Sequence, residues 1–169
     1  MEDATLPAPT VQLIQQSPGF VLGESEGCLI AIWKGPATLE AAERWAEALI
    51  DLVNRRPGNC GYLSIILQNA PTPPQDVRRA MAKVLSNVQT RLSCLVMVVE
   101  GNAIRSSLVR AVLAGMTMLL PSIQPTKICR EHRESLAWVK TKIGATESDF
   151  EERISSSVEH LRRVILAAA

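Results

Sequence analysis

Tyr62-Leu63-Ser64-Ile65-Ile66-Leu67 is a continuous apolar run with one serine, and Leu92-Ser93-Cys94-Leu95-Val96-Met97-Val98-Val99 is the most apolar strand-like run of the chain. Runs of this kind read as strands covered on both faces. The segment between them has another period. Thr72-Pro73-Pro74-Gln75 has the form of a capping box with proline in the first helical turn. Val77, Met81, Val84, Leu85 and Val88 then share one helical face. Buried strands joined by a crossover helix imply parallel pairing with right-handed connections.

The same alternation extends outward. Upstream, Thr38 is a plausible N-cap for a helix on Ala42, Ala46, Leu49, Ile50 and Val53, which Arg55-Arg56-Pro57-Gly58 ends. Phe20-Val21-Leu22 and Cys28 to Trp33 flank Glu24-Ser25-Glu26-Gly27, a hairpin pattern, and Val11 to Ile14 starts an edge strand. Met1 to Pro9 carry two prolines without periodicity and read as a flexible lead-in. Downstream, Asn102 caps a helix on Ile104, Leu108, Ala111, Val112, Gly115 and Leu119, which Pro121 stops. Pro125 to Cys129 is a short strand, and Glu134 to Ile143 a helix on Leu136, Val139 and Ile143 closed by Gly144. Ser148-Asp149-Phe150-Glu151 reads as another capping box, opening a stripe of Phe150, Ile154, Val158, Leu161 and Ile165. The expectation is an α/β fold: a mixed, mostly parallel sheet with helices, an opening β-hairpin and an extra C-terminal amphipathic helix. It divides into a flexible 1–10, a domain over 11–145, and a helix in 146–169 packed on the domain or on a partner subunit.

Composition excludes several function classes. With 169 residues, 47% of them hydrophobic, the chain is long enough and apolar enough for one sizeable core. Aromatics are 4% and the formal net charge is +1, so neither a base-stacking platform nor a basic footprint for nucleic acid is present. Cys28, Cys60, Cys94 and Cys129 each lie in or beside an apolar run, the pattern of reduced, buried thiols rather than of a disulfide framework. Met1-Glu2-Asp3-Ala4 lacks the basic-then-apolar pattern of a signal peptide. The longest apolar stretch, Ala111 to Leu120, is too short to span a bilayer. A cytoplasmic protein without membrane insertion is expected.

Catalytic-looking patterns fail their contexts. Gly23-Glu24-Ser25-Glu26-Gly27 matches the nucleophile-elbow spacing, but an elbow leads from a strand into a helix, and here a strand follows. Cys129 and His132 form half a zinc pair, and four ligands are needed; the bland alternative is a buried cysteine beside a surface histidine. Gly58-Asn59-Cys60-Gly61 precedes a strand, the reverse of a phosphate-cradling loop. The chain holds two histidines, too few to assemble a nucleophile, base and orienting group. No catalytic residue, cofactor or metal site is expected.

Two loops are better placed for binding. Glu100 to Ser107 runs from a strand end through Gly101 into a helix start carrying Asn102, Arg105 and Ser106. It reads either as an ordinary capped helix start with solvent-facing polar residues or as an anion or phosphorylation site, since free amides and the helix dipole suit an anion. Asn69-Ala70-Pro71-Thr72 follows the neighbouring strand. Ligands of open α/β sheets collect at the C-terminal ends of strands. A parallel arrangement therefore brings Asn69, Thr72, Asn102, Arg105 and Ser106 to one rim with Trp33, Lys34 and Arg130. The stripe from Phe150 to Ile165 has a polar face mixing Glu151, Glu152 and Glu159 with Arg153, Arg162 and Arg163, unlike a membrane-surface helix. Intramolecular packing and self-association through Phe150, Ile154, Val158, Leu161 and Ile165 both remain open.

The order of elements resembles the STAS fold, and is similar to the SpoIIAA-like (STAS/SEC14-type) proteins over residues 19–143. The residues carrying the likeness are Trp33-Lys34-Gly35-Pro36-Ala37-Thr38, matching a strand end in x-G-x-x-T, and Ala137-Trp138-Val139 in a late helix. The resemblance implies a non-enzymatic regulatory module that binds a protein partner. It also implies, as the alternative, a binder of a small apolar ligand or lipid. The phosphorylatable D-S-S-G-type loop of true antagonists is replaced by Gln68-Asn69-Ala70-Pro71-Thr72-Pro73-Pro74.

Overall fold

A computed structural model describes residues 10–101 and 125–168. Their core is a six-stranded sheet in sequence order: β1 (Gln12–Ser17), β2 (Phe20–Ser25), β3 (Cys28–Trp33), β4 (Gly61–Ile66), β5 (Cys94–Val99) and β6 (Thr126–Cys129). The first three pair antiparallel, and β3 to β6 pair parallel. The turn between β2 and β3 has Glu26 at φ 52° and Gly27 at φ 76°, the two left-handed residues of a type I′ hairpin. The G-x-S-x-G stretch is thus the end of β2 and the hairpin turn, followed by a strand as expected. Ser25 is buried, its Oγ 2.9 Å from Ser157 Oγ.

Four α-helices lie among the described residues: α1 (Leu39–Arg55), α2 (Gln75–Val88), α3 (Leu136–Ile143) and α4 (Phe150–Ala167). Alternation along each strand divides the interior. Leu29, Ala31 and Trp33 of β3, with Tyr62, Leu95 and Met97, face α1 and α2. Cys28, Ile30 and Ile32, with Leu63, Ile65, Val96 and Val98, face α3 and α4. All four cysteines are free and buried. Burial pushes the Cys28 thiol well above its ordinary range and Cys94 to about 12, which keeps both protonated.

Several local expectations are met and others corrected. Thr38 caps α1, its Oγ1 accepting from the Ala41 amide at 3.1 Å. The buried face of α1 is Ala42, Trp45, Leu49, Leu52 and Val53, so it is rotated from the expected stripe, and Ile50 is exposed. Thr72 does not cap α2, which starts at Gln75 with Pro74 at the N-cap position. A residue before proline is pushed out of the helical region, and Thr72 and Pro73 are each followed by one. The Ser148–Glu151 box is also absent: Asp149 precedes α4 without a side-chain cap bond. Ahead of α3 the chain makes a 3-10 turn, His132–Ser135, held by reciprocal bonds between Glu131 and Glu134. The helix expected from Asn102 lies outside the described residues.

The α4 stripe closes the second face of the sheet. Ile154, Val158, Leu161 and Ile165 are 0% exposed and Phe150 is 1% exposed. Phe150, Ile154, Val158, Leu161 and Ile165 are thus buried in the chain's own core, the intramolecular packing that the sequence left open beside self-association. Each such side chain stabilises by about 1.5–3 kcal/mol when taken out of water. Gly23 makes the contact possible, since a Cβ there would lie 3.1 Å from Leu161 Cδ2 and 2.8 Å from Val11 Cγ2. Polar contacts fix the helix along its length: Arg153 to Glu26 at 3.3 Å, His132 Nε2 to Ser155 Oγ at 3.1 Å, and Arg162 to Glu100.

His132 is therefore buried, not the surface residue that the bland reading supposed. No group of metal-ligating side chains accompanies it or Cys129 among the described residues. Burial, reinforced by Arg162 and Arg133, lowers its pKa from 6.5 to about 4. The unfolded chain thus binds a proton that the folded chain refuses between those values. Stability from neutral His132 is complete above pH 6.5 and is lost as pH falls toward 4.

Two outcomes follow. Leu161→Ala should lower the unfolding free energy by about 2–5 kcal/mol in urea denaturation; a loss below about 1 kcal/mol would contradict packing on the sheet. The stability difference between the unmodified protein and His132→Asn should shrink by on the order of 2 kcal/mol from pH 7 to pH 4. A pH-independent difference would show that His132 is not held neutral.

Candidate binding site at the C-terminal ends of the parallel strands

The parallel pairing brings the ends of β3, β4 and β5 to one edge. The register aligns Leu29 with Tyr62 and Leu95, Ala31 with Ser64 and Met97, and Trp33 with Ile66 and Val99, all on the face toward α1 and α2. The middle row contains two small side chains, Ala31 and Ser64. Space remains above it: a cavity of about 50 Å³ lined by Trp33, Tyr62, Ser64, Ile66, Met81 and Met97 and roofed by Ala70 to Pro73. Among the described residues, no charged side chain lines it.

Most of the few aromatic residues gather here. Phe20 and Trp33 stack with ring centroids 4.3 Å apart, and Trp45 of α1 lies 5.5 Å from the Tyr62 ring. The Tyr62 hydroxyl and Trp45 Nε1 are buried without hydrogen-bond partners. Burial raises the Tyr62 phenol to about 12. Ser64, Trp33 and Trp45 are close enough to oppose that rise, yet none bonds the hydroxyl with ordinary geometry.

The rim is held by a close approach of two glycines. A Cβ on Gly35 would meet the Cα of Gly19 at 3.0 Å, and the Lys34 and Gly35 amides both donate to the Gly19 carbonyl, at 2.9 and 3.0 Å. Only a residue without a side chain fits there, which gives the glycine of the strand-end motif a structural reason.

The expected rim residues separate. Trp33 lines the cavity with a buried ring, whereas Thr72 is exposed on its roof and Asn69 is exposed beside it. Lys34 departs from expectation: its ammonium reaches the other side of the sheet and donates to the Ile165 and Ala168 carbonyls, at 3.3 and 3.5 Å, where a cation complements the helix terminus. Arg130 is exposed beyond β6, in a separate polar cleft of about 450 Å³ with Glu100, His132, Glu159 and Arg162. There Arg162 pairs with both Glu100 and Glu159. Asn102, Arg105 and Ser106 lie outside the described residues. Sequence reasoning missed Tyr62 and Ser64; the lone serine in the β4 run was the available signal.

No protein-family model matches the chain. No curated protein matches it either. Among solved structures, it is similar to the crystal structure of an uncharacterized protein from the DUF3478 family with a SpoIIAA-like fold, from Shewanella loihica PV-4. The TM-score is 0.53 at 14% identity, covering 72% of this chain and 94% of that one. At such identity the likeness concerns architecture alone. The chain has a mixed α/β, SpoIIAA-like fold with a mostly parallel six-stranded sheet.

Proposed function

We propose that this chain is a non-enzymatic regulatory module that docks a protein partner on the rim around Trp33, Asn69 and Thr72. The observation that carries the reading is the construction of the β4–α2 loop. Gln68, Asn69, Pro71 and Thr72 are exposed on its outer side, and the same loop roofs the cavity on its inner side. Its outer surface is therefore the part of the rim that depends on what lies beneath it. The loop also stands at the strand ends, where α/β sheets bind.

Other features favour binding over chemistry. Ser25 and His132 are buried and hydrogen-bonded to serines of α4, and desolvation keeps the Cys28 and Cys94 thiols protonated. The cavity also bears on the alternative of a lipid carrier. A dry cavity of about 150 Å³ holds benzene, and this one is about 50 Å³. A lipid tail is far larger, which counts against that alternative.

The double variant Asn69→Arg, Thr72→Arg should keep its unfolding midpoint within the range of ordinary surface changes, about 0.5 kcal/mol. Affinity pulldown with quantitative mass spectrometry should show loss of the captured partner. A variant that retains every protein captured by the unmodified chain would remove the reading.

A further inference from the structure

We infer that the cavity beneath the β4–α2 loop binds a small neutral molecule with an apolar body and one hydrogen-bond-accepting oxygen, the class of short-chain alcohols and ketones, with the Tyr62 hydroxyl as donor. The inference rests on the rim reading above, because an occupant of this cavity supports the loop that forms the rim.

Charge excludes ionised ligands. Among the described residues the lining has no charged side chain, and an ion entering it would give up hydration with no counter-charge from them. Apolar groups dominate the walls, through Ile66, Ala70, Leu85 and Met97. The occupant's body is therefore apolar.

The oxygen is required by Tyr62. Its residue is 1% exposed, it lines the cavity, and none of the nearby Ser64, Trp33 and Trp45 bonds its hydroxyl with ordinary geometry. Buried polar groups are nearly always satisfied, and an oxygen placed in the cavity would satisfy this one. Ser64 stands two residues along on the same face and also lines the cavity, so a second hydroxyl is within the site.

Size bounds the ligand. A space of about 50 Å³ takes a molecule of a few heavy atoms. Met81 and Met97 line it, and the unbranched methionine side chain adapts to small changes of shape. A single ordered water is the smallest occupant that would satisfy the hydroxyl, and the experiment has to separate it from a ligand.

Protein labelled at the methionine methyls is titrated with acetone and 2-propanol, and with xenon as an oxygen-free probe, while the Met81 and Met97 signals are followed by NMR. Saturable shifts are expected with acetone and 2-propanol, with affinity in roughly the millimolar range for so few atoms. Tyr62→Phe should weaken both by about three- to tenfold, the effect of one hydrogen bond, and leave xenon binding unchanged. Ser64→Val, which fills the space, should abolish all three.

Absence of saturable shifts would mean that the cavity holds water only and would overturn the inference. So would a Tyr62→Phe protein that binds acetone as tightly as the unmodified one, or undiminished binding to Ser64→Val. Partner capture reports separately: if the probes fail while the Asn69→Arg, Thr72→Arg variant still loses its partner, this inference falls and the rim reading stands. If the probes bind and that variant keeps every partner, the rim reading falls.

Discussion

Both faces of the parallel sheet have to be kept from water. All six residues of β3 and of β5 are buried, so neither strand has a solvated face. The crossover helices α1 and α2 cover one side as a consequence of connecting parallel strands. The other side is covered by α3 and α4. Without that second layer, Ile30, Ile32, Leu63, Ile65, Val96 and Val98 would face solvent. The terminal helix is thus part of the core rather than an appendage.

That requirement orders the polar contacts as well. An amphipathic helix on a greasy sheet can slide or rotate, and directional bonds oppose this. Ser157 meets Ser25 in β2, Ser155 meets His132, Arg162 meets Glu100 at the end of β5, and Lys34 caps the last turn. Ser25 of the hairpin, and His132 of the half zinc pair, are employed here as fasteners. Burial acts on their chemistry too: His132 is kept neutral, and the Cys129 thiol is pushed above its ordinary range.

The covered sheet also explains where the candidate site can be. Between α1, α2 and the sheet, the small Ser64 leaves room that its neighbours do not fill. The room opens at the strand ends because the two prolines ahead of α2 delay that helix to Gln75. The resulting stretch of non-helical chain forms the roof. Gly19 and Gly35, packed backbone to backbone, hold the opposite wall near Trp33.

Local information was enough for the architecture. Hydrophobic period separates strands from helices, and the alternation of the two implies a mostly parallel sheet; these depend on neighbours within a few residues and are legible in one sequence. The α4 stripe and the turn around Gly27 were legible for the same reason. The stripe's partner was not, because periodicity marks an apolar face without saying which surface covers it. Lys34 and His132 were misread on similar grounds. A lysine at a strand end and a histidine after a strand look exposed until a helix more than a hundred residues away, in the case of Lys34, or about twenty away, in the case of His132, lands on them. The cavity needed the register of three strands, which sets Trp33 beside Ile66 and Ser64 beside Met97. The sequence by itself determined the elements and their faces, since those follow from local spacing. Tertiary structure decided which faces meet, which polar groups are buried and where space is left, since those follow from packing between residues far apart in the chain.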